Sequence, residues 1–387
     1  MSFNSLLVIL SLSSLLPAFG VNGASRNGLL LDPNSILKTV KSEGGEVIDC
    51  VDIYKQPAFR HPRLANHTLQ MKPSSYPIGI KPKGPLQSDN SSVVSFQRWR
   101  KNGEYCPEGT IPILRSSEEN FRRKNGHPLG SSTNSLTPAG DVAEFAVAFL
   151  PGSNFHGAIG EINVWNPKTL KNELSAAQFW VTDGGGSSID SIEAGWRVTD
   201  LTNYPSLFIY YTPDGYKTGC MNLLCPGFVQ TNHKIALGAE VQPPSTYGGA
   251  QYLLQMTIHR DDQNGNWWFN LNGEDVGYWP ANLFNGGLRG TASLLEWGGE
   301  IVNSNPRGFH TSTEMGSGHF PSEGYGKAAW FRNLKYITDG GRVKDAKGIT
   351  GQATRPACYD IQVQKWEQDM GIHFYYGGPG FSPACMH

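Results

Sequence analysis

Two Asn-Gly pairs, Asn264-Gly265 and Asn272-Gly273, separate short runs rich in aromatic and aliphatic residues: Tyr252–His259, Trp267–Leu271 and Val276–Trp279. Asn and Gly accept positive φ more readily than other residues, and the tightest hairpin turns need it at both central positions. Two such signals so close together commit this region to antiparallel strands. Further candidate strands are Ala158–Trp165, Ala177–Thr182, Ser191–Val198, Ser206–Thr212, Lys234–Val241, Leu294–Glu296 and Glu300–Asn303. No helix-length periodic segment interrupts them. Without βα alternation, strands at this spacing predict an all-β fold, an antiparallel sandwich or barrel, from about residue 138 onward.

Ser191-Ile192-Glu193-Ala194-Gly195-Trp196 carries more than strand character. Alternation puts Ile192, Ala194, Trp196 and Val198 on one apolar face and turns Glu193 and Arg197 the other way. Gly195 leaves that second face bare, a place where a ligand's main chain can lie close. A later stretch echoes it: in Glu296-Trp297-Gly298-Gly299-Glu300, Gly298 and Glu300 share a face. The expectation is that Glu193 and Glu300 meet across one cleft.

The region before this body differs in composition. Leu6 to Leu16 is an apolar run of signal-peptide length followed by small residues, so residues 1–23 read as a signal and the protein as secreted. No later run is long enough to span a membrane. Residues 24–127 open with an expected short helix, Ser35 to Lys41, and then become rich in Pro and Lys. They hold both sequons, at Asn66 and Asn90, and end near the basic cluster Arg122-Arg123-Lys124. A smaller, mixed pro-segment (24–127) before a peptidase-sized body (128–387) is the organisation expected. Six cysteines in a secreted chain imply three disulfides, and sequence proximity favours Cys50–Cys106, Cys220–Cys225 and Cys358–Cys385.

Net charge is −1, with no basic stripe, which argues against nucleic acid as a partner. There is no His-Glu-x-x-His helix, no Gly-x-Ser-x-Gly elbow and no phosphate-cradling loop, so neither a metal nor a cofactor is expected. Ser317 and His319 lie in a Gly-rich turn rather than a triad. What remains is carboxylate chemistry, in which two acids with separated pKa values share the work of hydrolysis.

Several stretches resemble the neprosin family of secreted plant glutamic prolyl endopeptidases. They include Ser191–Trp196, Gly219-Cys220-Met221-Asn222-Leu223-Leu224-Cys225, Pro226-Gly227-Phe228-Val229-Gln230-Thr231, Gly265-Asn266-Trp267-Trp268, Trp297-Gly298-Gly299-Glu300 and Met315-Gly316-Ser317-Gly318-His319-Phe320. Cys106-Pro107-Glu108-Gly109-Thr110-Ile111-Pro112-Ile113 resembles the end of that family's activation peptide. The resemblance implies a zymogen with its pro-segment as intramolecular inhibitor. It also implies a β-sandwich peptidase, catalysis by Glu193 and Glu300, and cleavage of peptides after proline. Glu296 is the rival for the second role. Trp196, Trp267, Trp268 and Trp297 are candidates either for a proline pocket or for core. The alternatives are a carbohydrate-binding sandwich, its tryptophans stacking on sugars, and a glycosidase using the paired carboxylates.

Overall fold

The computed structural model describes residues 31–80, 93, 94, 96–100, 103–115, 142–202, 204–304 and 308–386. The proposed signal, Asn90 and the basic cluster at 122–124 lie outside the described residues.

The spine of the body is one long strand, Val142–Asn163. Its first half pairs antiparallel with Ala292–Asn303 on one side and Thr350–Ala353 on the other. Its second half pairs with Tyr252–Arg260 and Ala329–Thr338. The change of partners falls around Pro151-Gly152 and Asn154, the last in the left-handed region at φ 57°. Close approach is needed just beyond, where a Cβ on Gly157 would stand 2.2 Å from the Ile258 carbonyl oxygen.

Each half of the spine carries a sheet. The first runs Cys220–Met221, Ser206–Thr212, Asp190–Thr199, Leu174–Asp183, Ala292–Asn303 and the spine. The second runs Val229–Gln230, Glu274–Trp279, Trp267–Leu271, Tyr252–Arg260, the spine, Ala329–Thr338, Phe374–Gly377 and Asp360–Val363. Between them lies a continuous core, with Ile192, Ala194, Trp196, Phe179 and Trp297 from the first sheet and Met256, Ile258, Phe331 and Tyr376 from the second. Phe179 touches Trp297 within its own sheet and Phe331 across the gap, at centroid distances of 6.2 and 6.1 Å. Side chains of this size contribute roughly 2 kcal/mol each when fully buried. The chain is therefore an all-β sandwich, and the alternation read from Ser191–Val198 is the alternation between core and outer face.

Local chemistry explains the departures from expectation. Asn272-Gly273 does form a two-residue hairpin, with φ of 52° and 83° and Leu271 paired to Glu274. Lys234–Val241 is not a continuous strand; Val241–Gln242 pairs as a short strand, and Leu237 and Glu240 form only isolated bridges, to Ile113 and Ser206. Side chains capture its backbone instead: Asn232 Oδ1 accepts the N–H groups of Lys234 and Ile235, and Gln97 Oε1 accepts that of Ala236. The two short runs at 294–296 and 300–303 are one strand, because Gly298 and Gly299 stay in the ladder. Ser35–Lys41 is not a helix: Ile36–Lys41 is a strand paired with Val47–Asp52, as its β-branched Ile36, Thr39 and Val40 favour.

That pair and Thr110–Leu114 make a small three-stranded sheet closed by Cys50–Cys106. Its Asp49 is buried and accepts from Arg115 and Thr39. The segment is not a loose leader. Val51, Ile53, Ala58, Leu64, Ile111 and Ile113 belong to the same apolar cluster as the sandwich core.

The other disulfides are Cys220–Cys225 and Cys358–Cys385, with sequence separations of 5 and 27 against 56 for Cys50–Cys106. Loop-closure entropy assigns them about 2, about 3.5 and about 4 kcal/mol respectively. Denaturant titration of the paired Cys→Ser variants should therefore show Cys220/Cys225 costing the least. A loss there equal to that of Cys358/Cys385 would mean the small loop holds the sandwich together.

Candidate active site

Three neighbouring strands of the first sheet define the site. In the middle strand Trp180 pairs with Glu193 on one side and Glu296 on the other. Gln178 likewise faces Gly195 and Gly298, and Ala176 faces Arg197 and Glu300. Directly paired residues share a face, so these nine positions form a grid on the outer face of the sandwich. Glu193, Gln178 and Glu300 lie on one diagonal of it, and Glu296 and Arg197 end the other.

The glycines beside Gln178 answer to the sheet itself. A Cβ on Gly195 would stand 2.0 Å from the Ala177 carbonyl oxygen, and one on Gly298 would stand 2.4 Å from that of Ala146. The bare face anticipated at Gly195 thus arises from close strand approach. Its effect is to leave Gln178 without side-chain neighbours on either side in its row.

Glu193 and Gln178 are 0% exposed and Glu300 is 1% exposed. Glu193 Oε1 accepts from the Ser191 hydroxyl at 3.1 Å and the Tyr216 hydroxyl at 2.9 Å. Gln178 Nε2 donates to Glu300 Oε2 at 2.8 Å. Glu193 Oε2 and Gln178 Oε1 are buried and have no hydrogen-bond partner among the described residues. An orphaned buried polar atom costs about 1–3 kcal/mol, which points to a site built to receive something.

Burial pushes the Glu193 carboxyl well above the ordinary carboxylate range, and the charge of Glu300 pushes it further. Hydrogen bonds from Tyr216 and Ser191 act the other way without prevailing. Burial raises Glu296, at the edge of the same face, to about 7. Burial and the neighbouring Glu193 charge hold the Tyr216 phenol far above its usual pKa, so it remains a donor.

The walls are apolar. Leu174, Ala176, Phe208, Tyr210, Met221 and Val302 form a cluster separate from the sandwich core, with Tyr216 and Leu224 against it. Met221 and Leu224 come from the loop closed by Cys220–Cys225, so that small disulfide shapes the ground beside Glu193. Tyr216 sits at φ 63° and stacks on Tyr210 at 6.2 Å.

The tryptophans singled out in the sequence, Trp196, Trp267, Trp268 and Trp297, are all fully buried core. None of the four presents a ring face to solvent. Trp180 is the tryptophan on the site's face; its partner is Phe145, edge-on at 6.5 Å. The His319 ring pairs with Glu323, and only its backbone N–H donates to the Ser317 hydroxyl. Among the described residues, the one grouping close enough to hold a metal is His310, Cys358 and Cys385, whose two sulfurs are joined as a disulfide. Asn66 is exposed. Sequence reasoning missed Gln178 and Tyr216. Gln178 is the polar residue of an otherwise apolar alternation, and Tyr216 ends the turn Pro213-Asp214-Gly215.

Residues 171–379 match the model of the family described as Neprosin, and residues 39–148 match that of the Neprosin activation peptide. The chain belongs to the neprosin family. Its N-terminal part carries that family's activation peptide. Solved structures resembling it include Scytalido-glutamic peptidase with a peptide-based transition-state analogue, at 13% identity and TM-score 0.34, covering 62% of this chain and 99% of that one. SCP-B, a member of the Eqolisin family of peptidases, in complex with the tripeptide Ala-Ile-His, matches at 12% identity and TM-score 0.32, covering 61% and 98%. Among the described residues no helix is long and apolar enough to cross a membrane.

Gly195→Ala should test the grid. With backbone, not a flexible side chain, facing the new Cβ, the strand must shift. The expected result is a stability loss of about 1–3 kcal/mol and a fall in activity. Thermal unfolding unchanged from wild type would show that the strands separate freely here.

Proposed function

We propose that the chain is an endopeptidase zymogen in which Glu193 and Glu300 hydrolyse peptide bonds at acidic pH, with proline preceding the bond cut. The observation that carries this reading is the buried diagonal Glu193–Gln178–Glu300 with two unpartnered oxygens on it. Glu193, its pKa raised, holds a proton on the free Oε2. Glu300, accepting from Gln178, takes a proton from water as the water oxygen attacks the scissile carbonyl. Glu193 then delivers its proton to the carbonyl oxygen, and the Tyr216 hydroxyl and Gln178 amide stand by as neutral donors to developing charge. Collapse of the tetrahedral gem-diol passes the proton on Glu300 to the leaving nitrogen, and as the carbonyl re-forms one hydroxyl proton returns to Glu193, restoring the starting state. The flat ring of Trp180, beside Glu193 in its row, supports a proline preference, since prolyl rings pack well on aromatic faces.

On this reading the activation peptide is residues 24–127 behind a signal of 1–23, and its residues 67–76 dock on the second sheet and the loop after the strand Tyr252–Arg260. Asp261 accepts from the Ser74 N–H at 2.7 Å, Gln70 Nε2 at 2.8 Å and the Ser75 hydroxyl at 2.9 Å. His67 Nε2 meets the Tyr278 hydroxyl at 2.7 Å. One chain of hydrogen bonds runs towards Glu193: Arg63 donates to Asn285 Oδ1, and Asn285 Nδ2 donates to the Pro213 carbonyl, just before Tyr216.

Glu193→Gln or Glu300→Gln should lower cleavage of a proline-containing peptide by about 10²–10⁴-fold while leaving unfolding unchanged. Glu296→Gln should keep most of the activity. Because the active form needs Glu193 protonated, the rate is present below its raised pKa and falls as pH rises through it. Replacing the peptide's proline by alanine should reduce cleavage. An active Glu300→Gln beside an inactive Glu296→Gln would move the second role to Glu296.

Docking should weaken in acid for two reasons. Burial works to raise Asp261, but hydrogen bonds from Ser74, Gln70, Gln263 and Ser75 outweigh it and leave the carboxyl below its ordinary range. Such a group stabilises docking above its undocked pKa, and that contribution is lost as pH falls through the docked value. Burial lowers His67, so docking also weakens as pH drops below about 6.5, the undocked value of histidine. Hydrogen exchange on the uncleavable Glu193→Gln protein should show residues 70–76 losing protection between about pH 7 and about pH 3. Protection constant over that range would contradict the mechanism.

A further inference from the structure

Arg197 occupies the grid corner beyond Gly195, on the same strand as Glu193 and in the same row as Glu300. It is 4% exposed. Among the described residues its guanidinium has no carboxylate partner and no side-chain hydrogen bond. Its one neighbour of note is the Phe208 ring, 5.9 Å from centroid to Cζ. A cation over a ring contributes about 0.5–2 kcal/mol, while taking an unpaired charge out of water costs several kcal/mol. Burial lowers the pKa only to about 10, so the group is charged wherever the enzyme works. Its nitrogens are not among the fully buried unpartnered atoms, so the head group keeps a narrow opening through which an anion can reach it.

The grid indicates where that anion comes from. A peptide whose scissile bond lies between Glu193 and Glu300 crosses the dyad diagonal over Gln178. It therefore runs along the other diagonal, between Glu296 and Arg197. With strands about 4.8 Å apart and same-face residues about 6.8 Å apart, the corner is about 8 Å from Gln178. That is roughly two residues of extended peptide.

We propose that Arg197 is a specificity-determining residue that binds a carboxylate of the substrate about two residues from the bond cut. The carboxylate is either an acidic side chain or the peptide's own C-terminus. The inference rests on the Glu193/Glu300 reading, because that reading sets the direction of the peptide. Glu296 at the opposite corner disfavours an acid on the other side of the bond when ionised, so the preference is one-sided.

The test uses proline-containing peptides with Asp or Asn two residues from the scissile bond, on either side, and a third pair ending there as free acid or amide. Acid-activated full-length protein should favour the carboxylate member at one side only by about tenfold or more, as a charge-assisted hydrogen bond allows, through KM rather than kcat. If the internal Asp pair shows the preference, the source is a side chain; if only the free acid does, it is the terminus. Arg197→Gln should bring the ratio near one, and Arg197→Lys should retain part of it. Arg197→Gln lowering all peptides alike, or wild type cutting both members equally, would overturn the proposal. Calorimetry on Glu193→Gln gives a readout without catalysis: peptide binding that favours the carboxylate even if the dyad assignment fails supports Arg197 alone, and binding that ignores it removes the proposal.

Discussion

Everything particular about this molecule follows from carboxyl groups held out of water on the outer face of a sheet. An outer face is normally where charges are solvated. Here Glu193 and Glu300 are buried as deeply as the tryptophans of the core. The desolvation is sustained by an apolar cluster of the site's own, Leu174, Phe208, Tyr210, Met221 and Val302, and by Tyr216 folded over on a left-handed residue. Two charges in such surroundings repel strongly, and sharing a proton is the cheapest escape. Gln178 lies between them, and its amide donates to one oxygen of Glu300.

The sheet geometry that makes this possible is set elsewhere. The long strand Val142–Asn163 belongs to both sheets and holds the Glu300 strand against the rest of the sandwich. Gly195 lets its strand close on Leu174–Asp183, and Gly298 lets its strand close on the spine, until no Cβ fits between either pair. The same glycines leave Gln178 as the only side chain in its row. A packing requirement and a binding requirement are met by the same absence of atoms.

Much of this was legible in the residues. Strict alternation in Ser191–Val198 separated core from outer face, and Asn272-Gly273 fixed its hairpin, because both signals are local. Lys234–Val241 misled because its apolar run is held by the side chains of Asn232 and Gln97, the latter far away in the chain. Ser35–Lys41 misled because a helical spacing of three apolar residues says nothing of the partner strand that settles the matter. Gln178 and Tyr216 stayed hidden for a related reason: each gains its role from the strand or loop that comes to lie beside it. Trp196, Trp267, Trp268 and Trp297, conspicuous in the sequence, went to the core, where large flat side chains bury most area.

The central claim is that Glu193 carries a proton at pH values where an ordinary glutamate is ionised, and that Glu300 is one of the reasons. Infrared difference spectroscopy of the carboxyl band across a pH titration, on wild type, Glu193→Gln and Glu300→Gln, measures this directly. A protonated carboxyl band should persist above the ordinary glutamate range of about 4.3, vanish in Glu193→Gln, and titrate at lower pH in Glu300→Gln. A Glu193 band that titrates in the ordinary range, unmoved by loss of the Glu300 charge, would contradict the account.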